Sequence, residues 1–107
     1  MEIDWEKVGA ALDESGSAVV EGLLDSRQCH ALAKMYEDED RFRSRVVMAR
    51  HGFGRGEYKY FGYPLPDVIA ELRTGLYGPL AEIANRWNPG ARFPSEHKAF
   101  LKRCHAA

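Results

Sequence analysis

The chain has 107 residues, with 15 Lys plus Arg against 16 Asp plus Glu and a formal net charge of −1. That length fits one domain with a sizeable core, and the near-neutral balance excludes a uniformly basic nucleic-acid binder while permitting a local basic patch. Hydrophobic residues at 45% and charged residues at 29% exclude global disorder.

Cys29 and Cys104 are too few for a disulfide framework and read as reduced thiols of a cytosolic protein. No apolar run approaches the roughly 20 residues of a membrane helix, and Met1-Glu2-Ile3-Asp4 does not open a signal peptide. The expected setting is cytoplasmic.

Asp4 is placed to cap a first helix with Trp5, Val8 and Leu12 on one face, and Gly16 stops it. Ser17 to Leu24 carries the apolar run Ala18-Val19-Val20 between turn formers and predicts a buried strand. Asp25 and Gln28 then form a variant capping box. Cys29, Leu32, Ala33 and Tyr36 share one face of the helix it starts. The acidic run Glu37 to Asp40 opposes the helix dipole, so the helix ends near Tyr36 and the acids form a solvated turn.

Two strand-like runs, Arg45 to Arg50 and Glu57 to Phe61, flank the loop Gly52-Phe53-Gly54-Arg55-Gly56 and predict a hairpin. A long helix follows, with Pro66 in its first turn and Ile69, Leu72, Leu76, Leu80, Ile83 and Trp87 in a stripe. Pro79 predicts a kink or break, and Asn88-Pro89-Gly90 ends the helix. Ser95 is placed to cap a last helix with His97, Phe100, Leu101 and Cys104 on one face. The predicted class is α+β in the order α-β-α-β-β-α-α. Three short strands make a poor sheet that helices cover on one side only. The pattern is unfinished.

Chemistry-bearing patterns are sparse. His30, His51, His97 and His105 form no His-x-Asp, His-x-His or His-Glu-x-x-His spacing, and the Cys29-His30 and Cys104-His105 neighbours point about 100° apart on a helix. Gly52, Gly54 and Gly56 lead into a strand instead of a helix N-terminus, so they read as a turn and not as a phosphate cradle. The richest segment interleaves Arg41, Arg43, Arg45, Arg50, His51, Arg55 and Lys59 with Phe42, Phe53, Tyr58, Tyr60 and Phe61. Such a surface suits phosphate pairing and base stacking, or a half-exposed hairpin with its aromatics in the core. Strand alternation puts Tyr58, Tyr60 and Gly62 on one face and Glu57, Lys59 and Phe61 on the other.

Gly16-Ser17-Ala18-Val19-Val20-Glu21-Gly22-Leu23-Leu24-Asp25, followed by Cys29, resembles the opening of Fe(II)/2-oxoglutarate-dependent oxygenases. More specific are Arg41 to Arg50, His51 to Phe61, Tyr63-Pro64-Leu65-Pro66, Ile83 to Trp87, and Phe100-Leu101-x-x-Cys104-His105. In this order they resemble the N-terminal half of a bacterial, prolyl-hydroxylase-like oxygenase family assigned to oxidative repair of alkylated nucleic acid.

The resemblance, over nearly the whole chain, implies the N-terminal support region of a double-stranded β-helix (jelly-roll) oxygenase, with the catalytic barrel strands missing. It implies one incomplete domain over residues 1–107. The family holds Fe(II) with a His-x-Asp/Glu pair and a distant His. Here the residues two beyond each histidine are Leu32, Phe53, Ala99 and Ala107, so no catalytic, cofactor-binding or metal residue is carried over. Fe(II) and 2-oxoglutarate are implied for a full-length relative only, and this chain alone is expected to be inactive. Arg50, Arg55, Tyr58, Lys59 and Tyr60 are candidates for a substrate-facing rim. Expected partners are the missing catalytic region, an anionic substrate or nucleic acid, and a second copy through exposed core surface.

Two other readings compete. Gly52-Phe53-Gly54 and Tyr58 match part of an RNA-recognition strand, and β-α-β-β-α matches five of its six elements. A small interaction protein that pairs through its open sheet edge or its C-terminal apolar stripe is the other.

Overall fold

The computed structural model describes residues 2–52 and 54–106; Phe53 of the predicted loop lies outside the described residues. Four helices, α1 (Trp5–Ser15), α2 (Ser26–Met35), α3 (Asp67–Trp87) and α4 (His97–Ala106), accompany two strands, β1 (Phe42–Val47) and β2 (Glu57–Phe61). The class is α+β. The chain divides into two compact units, one running from Leu24 to Asp67 and the other made of the residues up to Leu23 together with those from Val68 onward. No described helix is long and apolar enough to cross a membrane.

The helical unit follows its capping signals. The Asp4 carboxylate accepts from the Lys7 backbone N–H at 3.1 Å. Gly16, left-handed at φ 73°, closes α1 by donating to the Leu12 carbonyl. A helix also needs a side to bury, and Gly9 gives α1 its close approach to α3. A Cβ built there would lie 3.9 Å from Ile83 Cδ1. Gly9, Ala81 and Ile83 are buried, and among the described residues no side chain is wholly enclosed.

At the end of the same contact, Trp87 Nε1 donates to Asp13 at 2.6 Å and Arg86 Nη2 donates to both carboxylate oxygens at 2.8 and 2.9 Å. The Trp87 hydrogen bond, with the Arg86 guanidinium behind it, holds the Asp13 carboxyl below its usual range.

The predicted strand at Ser17 to Leu24 does not form. Among the described residues the sheet has two strands, β1 and β2, and residues 17–24 are irregular. A strand needs a neighbour for its backbone groups, and apolar composition supplies none. Gly22 adopts φ 69° and turns the chain, Val19 is 87% exposed, and Ala18 and Val20 line a shallow groove with Ile3, Val8 and Ala11.

α3 runs through Pro79 as one element of 21 residues and begins after Pro66. α4 starts at His97, one residue later than a Ser95 cap would set it, and its first turn closes from Phe100 N–H to the Glu96 carbonyl. The turn between α3 and α4 is tied down by side chains. Asn85 both donates to the Phe93 carbonyl at 2.9 Å and accepts its N–H at 2.7 Å, as a neighbouring strand would. Tyr77 donates to the Pro94 carbonyl at 2.7 Å, and Arg103 donates to the carbonyls of Arg92 and Ala91.

In the other unit, the capping box forms in full: Gln28 N–H reaches the Asp25 carboxylate at 2.8 Å, and Gln28 Oε1 accepts the Asp25 N–H at 3.0 Å. α2 ends with Tyr36 as its C-cap, where the acidic run begins. Its inward residues are Gln28, Leu32 and Met35, while Cys29 and Ala33 are exposed. The predicted stripe is therefore rotated, with Gln28 and Met35 half-buried beside Leu32 where Cys29 and Ala33 were expected. β1 and β2 form the predicted antiparallel hairpin, with Val46 opposite Tyr58 and Ser44 opposite Tyr60. The first strand ends earlier than predicted: Met48–His51 is a 3₁₀ turn, and Met48 N–H closes the loop onto the Gly56 carbonyl at 2.9 Å. Gly54 and Gly56 hold φ values of 106° and 103°, a region that side chains disfavour.

Candidate functional site

The hairpin sorts its side chains onto two chemically different faces. Tyr58 and Tyr60 lie two residues apart on β2, meet edge to face with ring centres 5.6 Å apart, and are 43% and 47% exposed. The register of β1 slips between Phe42 and Ser44, making Arg43 the extra residue of a bulge. The Arg43 guanidinium lies 5.4 Å from the centre of the Tyr60 ring. One face thus presents two phenol rings and a cation.

The opposite face is packed. Phe42 stacks on Phe61 with ring centres 5.0 Å apart, and Tyr36 meets the edge of Phe42 at 5.9 Å. Lys59 ends among these rings, its ammonium 4.1 Å from the Tyr36 ring centre and 5.2 Å from that of Phe42. It donates to the Tyr36 carbonyl at 2.7 Å and to Glu39 at 2.9 Å, leaving its side chain 4% exposed. Arg45 pairs with Glu57 beside it at 3.3 Å, and desolvation, aided by the hydrogen bond with Glu57, raises the Tyr36 hydroxyl above its usual range.

Of the five rim candidates, Tyr58 and Tyr60 come together on the open face. Arg50 and Arg55 are exposed in the loop that joins the strands. Lys59 is turned away, its charge spent on Tyr36 and Glu39. Arg43 was not among the five. Regular alternation puts it on the Lys59 face, and only the bulge moves it beside Tyr60.

The four histidines do not converge. Among the described residues, no group of three or more His, Cys, Asp or Glu side chains is placed to hold a metal ion. Both cysteines are free thiols and both are exposed, whereas the expected stripes of α2 and α4 turn them inward.

A second feature lies on the helical unit. Ile69, Leu72, Leu76 and Leu80 of α3, with Phe93 and Phe100, line an open and almost wholly apolar groove of about 570 Å³. Tyr77, also in its lining, lies against His97 and Phe100, at 5.4 and 5.1 Å between ring centres. Desolvation raises the Tyr77 hydroxyl above its usual range.

Residues 56–107 match a family described as "Oxygenase, catalysing oxidative methylation of damaged DNA". The matched span holds β2, α3 and α4 and supports an oxygenase family relationship. The stretch from Gly16 to Arg55, which the sequence resemblance also uses, lies outside it. No curated protein and no solved structure matches the chain.

Proposed function

We propose that residues 1–107 are a single incomplete domain, the N-terminal support region of a prolyl-hydroxylase-like, Fe(II)/2-oxoglutarate-dependent oxygenase that repairs damaged nucleic acid. The family match across β2, α3 and α4 carries this reading. The apolar groove along α3 supports it, because a helix face of that composition is built to pack under another layer. In this reading that layer is the catalytic jelly roll, whose strands bring the iron ligands and the co-substrate site. The setting is cytoplasmic, in keeping with two free exposed thiols. Left uncovered, the groove draws copies of the chain together.

This division of labour makes the chain inert by itself. Loaded anaerobically with Fe(II), then given 2-oxoglutarate and O₂, it is expected to hold iron below stoichiometry and to form no succinate. Stoichiometric iron with succinate formation would place a complete active site within these 107 residues and overturn the reading.

A further inference from the structure

Charge is divided unequally around the hairpin. Residues 41–60 carry Arg41, Arg43, Arg45, Arg50, Arg55 and Lys59 against a single acid, Glu57. Three of these cations are paired with acids, Arg41 with Asp38, Arg45 with Glu57 and Lys59 with Glu39, while Glu37 and Asp40 of the same turn form no ion pair among the described residues. Arg43, Arg50 and Arg55 have no acidic partner among the described residues. Three unneutralised guanidinium groups are thus left with the Tyr58–Tyr60 face and the loop at its end.

We propose that the Tyr58–Tyr60 face of the hairpin, with Arg43 beside it and Arg50 and Arg55 in the adjoining loop, binds single-stranded nucleic acid. Exposed rings offer π-faces to any unpaired base, and a guanidinium lying on a ring extends the stacking platform. Arginines without carboxylate partners are free to pair with phosphates, two N–H groups to each. Duplex bases are already stacked on one another and have no face to give. The ligand is therefore single-stranded. Lys59 takes no part, because its ammonium is enclosed and already paired.

For its setting this surface rests on the oxygenase reading, but it is tested by binding and not by turnover, so either can fail alone. The full chain is titrated into a fluorescein-labelled 12-mer of oligo(dT), with oligo(rU) and a 12-base-pair duplex as parallel arms, and anisotropy is followed. Binding of the single strands is expected in the range of about 1 to 100 µM at low salt. The Tyr58→Ala, Tyr60→Ala double variant should weaken it about fivefold or more. The Arg50→Ala, Arg55→Ala double variant should weaken it and flatten the dependence of log K on log salt by about 1.4, at roughly 0.7 per phosphate contact.

Both tyrosines are exposed, so circular dichroism should show the double variants folded, and the two pairs test the surface independently. No binding of either single strand, or equal affinity for the duplex, overturns the proposal. So does wild-type affinity in the folded tyrosine variant.

Discussion

Ile83→Ala is expected to destabilise the helical unit by about 2–4 kcal/mol. Ile83 is 7% exposed, and it and Ala81 are the two buried apolar residues among those described. Its neighbours are poor at closing a gap. Gly9 has no side chain to move, and Pro79 is fixed in its ring. The cavity term therefore adds to the lost transfer energy. For a chain of this length total stability is on the order of 5–15 kcal/mol, so the loss removes a large share. Trp5 and Trp87 sit on α1 and α3 and report this unit, so a urea titration followed by tryptophan fluorescence measures it. A loss under about 1 kcal/mol would show that α1 and α3 are not held by this contact.

The second large effect belongs to the hairpin. Lys59→Met keeps the aliphatic stem against Phe42 and Tyr36 but removes the ammonium. The Tyr36 carbonyl and Glu39 then lose their donor, and two cation–ring contacts go with it. Charge-assisted hydrogen bonds of this kind contribute about 1.5–3 kcal/mol, more than an exposed ion pair does, because the Lys59 side chain is 4% exposed. A two-stranded ribbon has little stability of its own, so the loss should be felt throughout β1 and β2. Amide hydrogen exchange across Ser44–Val47 and Tyr58–Phe61 is expected to speed up about thirtyfold, for a loss of about 2 kcal/mol. Unchanged protection would mean that Phe42 stacked on Phe61 suffices, and that Lys59 is free for another role.

The placement of Lys59 shows what a sequence pattern carries and what it omits. Alternation along β2 separates Tyr58 and Tyr60 from Lys59 and Phe61, and the structure keeps that separation. Alternation does not say which face packs. That depended on Tyr36 from the end of α2 and on Glu39 from the acidic turn, both distant in sequence. The position of Arg43 was illegible for another reason, since a bulge shifts side chains between faces without marking the composition.

Caps were the most readable feature, because Asp4, Gly16 and the Asp25–Gln28 pair act within a few residues of themselves. The strand at Ser17 to Leu24 was misread because Ala18-Val19-Val20 has the right composition but no pairing neighbour. Likewise the α3 stripe was visible, but not its division of work. Ile83 turns to α1, whereas Ile69, Leu72, Leu76 and Leu80 line the open groove.

The reading proposed from that groove and from the match over residues 56–107 is that these 107 residues are the supporting part of a larger oxygenase domain. The most direct test is the intact mass of the protein made from its own locus in native cells. The account predicts a product far heavier than 12.1 kDa, with the catalytic strands covalently continuous with this chain. A product of 12.1 kDa would contradict it.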